Sequence, residues 1–229
     1  MKLLFNLYKS MLPPISKTES EALDAGTVWW DAELFSGRPN WDVLTNLKIT
    51  KLTQEEQRFL DGPVRQVCSM VDDWDVNYVR KDLPPEVWYF LKKNKFFGMN
   101  IKREYGGLEF SALAQSKVIS MLSSRNLSLA ITAMVPNSLG PGELLHRFGT
   151  DEQKLHYLPK LAVGDEVPAF ALTGPYAGSD AAAMRDTGVV CREGGILGIR
   201  LNWEKRYITL GPVCTVLGLA FKLEDPDKL

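Results

Sequence analysis

The sequence predicts an α+β fold, with an amino-terminal all-helical domain followed by an antiparallel, barrel-like β domain that reads as truncated. Three observations predict it. Capping boxes and apolar residues spaced by 3 and 4 fill the stretch from 53 to 165. After Gly164 the pattern turns to short apolar and β-branched runs separated by glycine-containing turns. The chain stops at Asp225-Pro226-Asp227-Lys228-Leu229, soon after the last such run. The expected organisation is an amino-terminal extension at 1–50, a helical domain at 51–165 and an incomplete β domain at 166–229.

The helical elements follow in order. Ser16-x-x-Glu19 and Thr18-x-x-Glu21 read as capping boxes of a short helix that stops at Gly26. Trp29, Trp30 and Trp41 lie in a turn-rich stretch and are read as clamping the extension onto the main body, because aromatic rings bury much area per residue, with a binding role as the competing reading. Thr53-x-x-Glu56 caps the next helix, with Leu60, Val64, Val67, Val71 and Trp74 on one face and Pro63 as a kink. Pro84-Pro85 opens a helix with Val87, Phe90 and Leu91 inward. Gly106-Gly107 makes a turn. Ser111 caps a helix with a stripe at Ala114, Val118, Met121 and Leu122. Residues 126–134 and 141–148 continue the helical pattern, and Thr150-x-x-Gln153 caps a helix carrying Leu155, Leu158 and Leu161. Strands are expected at 170–173, 188–191, 196–201, 206–209 and 214–221.

Bulk properties exclude several function classes. The chain has 229 residues, 45% hydrophobic and 24% charged, ordinary for a globular protein. A net charge of -1 gives no strong field that would draw it to nucleic acid or anionic lipid. Cys68, Cys191 and Cys214 are odd in number and far apart, which argues against a disulfide framework and fits a reducing cytoplasm. His146 and His156 are the only histidines, and no Cys/His cluster has metal-ligand spacing, so no metal is expected. The segment at 1–9 is too short to span a bilayer, which takes about 20 apolar residues. Leu3, Leu4, Leu7 and Met11 share a helical face. Two readings of that face stand, a docked or frayed terminus and a segment lying on a membrane surface.

Thr173-Gly174-Pro175-Tyr176-Ala177-Gly178-Ser179-Asp180 is the most informative segment. A strand runs there into a loop of small residues, whose backbone amides can approach a phosphate or a flat ring. Thr173 and Ser179 add hydroxyls, and Asp180 can brace the loop. On physical grounds alone a plain surface turn is the competing reading.

The segment from Phe170 to Asp180 resembles the acyl-CoA dehydrogenase signature, commonly T-E-P-x-A/G-G-S-D. Lys205-Arg206-Tyr207-Ile208-Thr209 resembles the second flavin motif of that family, commonly K-x-W-I-T. Tyr105-Gly106-Gly107 and the run from Phe148 to Leu161 are also family-like. Four matches in the right order are more specific than any one. The likeness is greatest to the large bacterial long-chain enzymes of fatty-acid β-oxidation, through Val28-Trp29-Trp30-Asp31, the run from Pro136 to Glu143 and that from Thr215 to Lys222. Gly174 stands where glutamate is common, and Tyr207 where tryptophan is common.

The resemblance implies FAD as cofactor. It implies that Phe170 and Leu172 line the isoalloxazine, Thr173 bonds its pyrimidine end and Tyr207 packs against the ring. Thr209 would donate to flavin N5, while Gly178 and Ser179 would lie near the cofactor and the acyl-CoA entrance, with Ser179 on the pyrophosphate. The implied reaction oxidises a medium- or long-chain fatty acyl-CoA to a trans-2-enoyl-CoA, with electron-transfer flavoprotein as acceptor and a homo-oligomeric full-length protein. In the family the base is a glutamate of a carboxy-terminal helical domain, so no catalytic residue is assigned. Glu104, Glu109 and Glu143 read as solvated or capping groups, and the chain alone is expected to be inactive. The alternative reading is a non-enzymatic binding or assembly module with the same amino-terminal fold. The expected location is the cytoplasm, with peripheral contact at the inner membrane as an added property.

Overall fold

The computed structural model describes residues 2–15, 17–26, 29–48 and 50–228. The capping boxes expected on Ser16 and on the Thr18 side chain, and the family-like Val28, lie outside the described residues. The chain divides into two compact units, one of residues 1–49 with 176–184, the other of residues 50–175 with 185–229.

In the first unit, α1 (Lys2–Met11) has no buried residue. It is followed by α2 (Lys17–Asp24), α3 (Asp31–Phe35) and α4 (Trp41–Thr45). Trp30 is buried, its ring centroid 5.0 Å from that of Trp41 and its indole N–H donating to the Asn40 carbonyl at 2.8 Å. Trp29 is exposed.

The second unit opens with α5 (Gln54–Phe59). Thr53 and Glu56 form the expected capping box at its start. Pro63 lacks the amide an α-helix interior needs, and the chain passes through a π-helical turn at Leu60–Val64 before α6 (Arg65–Met70). Val71 is extended and ends α6, and its carbonyl accepts from the Arg125 guanidinium at 2.7 Å. The helical phase is lost there, so Trp74 is exposed and not on the core face with Leu60, Val64, Val67 and Val71. In α7 (Pro85–Lys93), Val87 and Leu91 are buried, and Phe90 packs on the same core.

The central helices are α8 (Ala112–Arg125) and α9 (Leu127–Met134), capped by Ser111 and Asn126. Val118, Leu122, Leu129 and Ala133 join Phe96, Phe97 and Met99 in the main core. Then come α10 (Pro141–Phe148) and α11 (Asp151–Val163), the latter with its expected Thr150–Gln153 capping box. Leu158 and Leu161 are buried, but Leu155 faces solvent, so the apolar stripe is narrower than its spacing suggests.

The helix-then-strand order is as expected, but the strand pairing is mixed. The strands are β1 (Pro168–Ala171), β2 (Thr187–Glu193), β3 (Ile196–Asn202), β4 (Val216–Leu219) and β5 (Lys222–Glu224). Only β2–β3 is antiparallel, joined by a turn at Gly194-Gly195. The β1–β4 and β2–β5 pairs are parallel, as their long crossovers allow. They form a two-stranded and a three-stranded sheet, and no closed barrel is present among the described residues. The strand expected at 206–209 does not form, because Tyr207 and Leu210 are held at φ 57° and 62°, outside the β region.

Candidate flavin-facing site

The core of the site is built where β1 ends. Phe170 lies in β1, opposite Gly218 of β4. It borders an open apolar groove of about 350 Å³ that also involves Pro141, Leu145, Phe148 and Tyr157. The strand starts two residues before the expected Phe170 and ends at Ala171, so Leu172 and Thr173 lie beyond it. Both are half-buried.

The two motif segments of the second unit lie side by side. The Arg206 amide donates to the Thr173 carbonyl at 3.0 Å. The Lys205 ammonium donates to the Leu172 carbonyl at 3.0 Å and to Asp186 Oδ2 at 2.6 Å. Asp186 Oδ1 accepts from the Glu204 amide at 2.8 Å, and the Asp186 carbonyl accepts from the Lys222 amide at 2.9 Å. Lys205 and Asp186 are almost wholly enclosed, their side chains 1% and 7% exposed. Burial pushes the Asp186 carboxyl upward, but the Lys205 ammonium and the Glu204 amide outweigh it and hold it below the usual carboxylate range.

Gly174 fits this network closely. A Cβ there would lie 3.2 Å from the Glu204 carbonyl oxygen and 3.7 Å from Asp186 Oδ2. The glycine that departs from the signature thus stands against a carbonyl and a carboxylate, where an acidic side chain would meet like charge.

Tyr207 and Thr209 follow directly. The Tyr207 ring is 87% exposed on a left-handed backbone, a conformation that costs a non-glycine residue about 1–3 kcal/mol and concentrates at functional sites. Thr209 is exposed as well. The structure therefore brings Thr173 beside Arg206, the neighbour of Tyr207, and gathers Phe170, Leu172, Thr173, Tyr207 and Thr209 in the second unit. Gly178 and Ser179 belong to the first unit, where both are exposed.

Sequence reasoning gave Lys205 no role and passed over Asp186. No local signal singles them out, since Arg185, Glu204 and Arg206 are charged beside them. Glu104 pairs with Lys102 at 3.9 Å, Glu109 accepts from the Arg103 amide at 3.4 Å and Glu143 pairs with Arg147, as befits surface groups. Among the described residues no group of three or more metal-binding side chains converges, and no helix is long and apolar enough to cross a membrane.

The sequence profile of the family described as "Acyl-CoA dehydrogenase, N-terminal domain" matches residues 52–165. The chain is 33% identical over 180 residues to the very long-chain specific acyl-CoA dehydrogenase of Homo sapiens mitochondria, covering 77% of this chain and 27% of that protein. It is 39% identical over 181 residues to a 3-(aryl)acrylate reductase of Clostridium sporogenes, covering 79% and 44%. Among solved structures it resembles the FAD complex of PigA, with a TM-score of 0.66 at 28% identity, over 77% of this chain and 46% of that one. The chain spans less than half the length of these relatives. With that profile across its helical part and such relatives across most of its length, the chain belongs to the acyl-CoA dehydrogenase family.

Proposed function

We propose that this chain supplies the helical domain and part of the flavin-facing β domain of an FAD-dependent acyl-CoA dehydrogenase. The substrates proposed are medium- and long-chain fatty acyl-CoA thioesters of fatty-acid β-oxidation. The observation that carries the reading is the Arg206–Thr173 backbone bond, which sets the two motif segments against each other in a member of this family. The residues leave room for a flat cofactor, since Tyr207 and Thr209 are exposed on the segment whose Arg206 amide is bonded to Thr173.

Phe170, Leu172, Thr173, Tyr207 and Thr209 would hold the flavin, with Gly178 and Ser179 toward the acyl-CoA entrance. Bound FAD would accept the hydride from the β carbon of the thioester. The protein's part is to orient the ring and keep its reacting edge facing substrate. The base would come from a carboxy-terminal helical domain, so the chain alone would not turn over. Electron-transfer flavoprotein is the proposed acceptor, a homo-oligomer the proposed assembly and the cytoplasm the proposed location.

The test is anaerobic reduction of a chimera that joins this chain to the carboxy-terminal helices of a dehydrogenase relative. Palmitoyl-CoA and octanoyl-CoA should bleach the oxidised flavin band. Bleaching by an arylpropionyl-CoA alone would overturn the proposed substrate class, and bleaching by none would overturn the enzymatic reading.

A second reading adds membrane contact. In α1, Leu3, Leu4, Phe5, Leu7, Tyr8 and Met11 are all exposed, and the helix carries Lys2 and Lys9 but no acidic residue. Such a helix suits a bilayer surface. The chain should sediment with lipid vesicles and cease to do so when residues 1–12 are removed. Unchanged sedimentation would remove this reading.

A further inference from the structure

Tyr207 and Thr209 belong to an exposed segment without strand pairing, whose one backbone tie to Leu172–Thr173 among the described residues is the Arg206–Thr173 bond, so side chains must add to it. Among the described contacts, the enclosed charge pair has the required reach. Lys205 touches one segment through the Leu172 carbonyl while belonging to the other. Asp186, just before β2, holds Lys205 through one carboxylate oxygen and the Glu204 amide through the other. A single carboxylate and a single ammonium thus connect three stretches of backbone at 172, 186 and 204–205.

We propose that Asp186 and Lys205 are positioning residues, a latch that holds the Leu172–Thr173 edge against residues 204–209 before cofactor arrives. This rests on the flavin reading for its purpose, though not for its geometry. Neither residue touches the reacting atoms. Their part is to order backbone that flavin binding would otherwise have to order at a cost in affinity. Gly174 belongs to the same device, because it lets the 173–175 backbone come within reach of Glu204 and Asp186.

A buried pair broken on one side leaves a buried charge, so single charge deletions confound positioning with unfolding. The informative variant is Asp186→Asn with Lys205→Met, which removes both charges and keeps an oxygen for the Glu204 amide. The reporter is hydrogen exchange of the Arg206 amide in the flavin-free chain, since its bond to Thr173 uses neither side chain. In D186N/K205M that exchange should accelerate on the order of tenfold or more, while amides of α8 keep their protection. FAD affinity, followed by quenching of flavin fluorescence on the chimera with a relative's carboxy-terminal helices, should fall by a similar factor when the chimera carries D186N/K205M.

Unchanged Arg206 exchange in a folded double variant would overturn the proposal. So would accelerated exchange with unaltered FAD affinity, which would make the pair structural only. Accelerated exchange together with an unmutated chimera that binds no FAD would support the latch and count against the flavin reading instead. Should the double variant not fold, Asp186→Glu, which keeps both charges but displaces the carboxylate from its two donors, should show the same changes at smaller size, and their absence would overturn the proposal.

Discussion

Glu56 Oε1 accepts the backbone N–H of Ser111 at 2.7 Å, although the two residues begin different helices. Its other oxygen accepts the Thr53 amide at 2.7 Å, completing the capping box of α5. Ser111 in turn caps α8 through its hydroxyl. One buried carboxylate therefore fixes the starts of two helices whose inner faces, through Phe59 and Ala114, share the main core.

Acid should weaken the protein through this group. Burial pushes the Glu56 carboxyl upward, but the amides and hydroxyls of Thr53 and Ser111 dominate and hold it at about 2, against 4.5 when unperturbed. The folded value is the lower one, so the unfolded chain binds the extra proton and stability rises with pH across this window. The contribution is on the order of 3 kcal/mol, present above pH 4.5 and lost as pH falls toward 2. Urea unfolding across that range should show the decline, and Glu56→Gln should flatten it. An unchanged slope in the variant would contradict this assignment.

Removing one member of the Asp186–Lys205 pair should cost more than removing both. Lys205→Met leaves Asp186 enclosed without its cation and should destabilise by about 3–5 kcal/mol at neutral pH. The D186N/K205M chain should lie closer to wild type. Equal losses in chemical denaturation would mean that the two charges do not depend on each other.

Gly174→Glu restores the residue common in the family signature and should be harmful in this chain. Its carboxylate would enter beside Asp186 Oδ2 and the Glu204 carbonyl. A stability loss of about 1–3 kcal/mol is expected, eased when pH is lowered enough to protonate one carboxylate. A neutral or stabilising effect would show that the loop can open without consequence.

Gly164 closes α11 at φ 77°, and a Cβ there would lie 2.3 Å from Phe97 Cδ2. Gly164→Ala therefore combines a disfavoured backbone with overpacking of a buried ring. A loss of roughly 2–4 kcal/mol follows, visible as a lower Tm. A shift within error would mean that Phe97 has room to move.

Local chemistry made much of the fold legible. Thr53, Ser111 and Thr150 announce helix starts because a cap is made within about one turn of chain. Trp74 and Leu155 were misplaced because periodicity presumes an unbroken helix and a broad buried stripe. Val71 interrupts the first, and the second is too narrow. The parallel β1–β4 and β2–β5 pairs depend on distant chain segments that no local pattern encodes. The motif residues around Thr173 and Tyr207 were legible by resemblance. Their latch was not, since Asp186 and Lys205 are 19 residues apart with no shared period. Arg206–Thr209 reads as a strand by composition, yet its backbone turns at Tyr207.

The most direct test of the central claim is flavin retention. The chain and its chimera with a relative's carboxy-terminal helices would be mixed with excess FAD, desalted and measured by absorbance, with folding checked by circular dichroism. The account predicts a flavin spectrum on the chimera that weakens when Thr209 is changed to alanine, and little or none on the chain alone. A folded chimera that emerges free of flavin would contradict it.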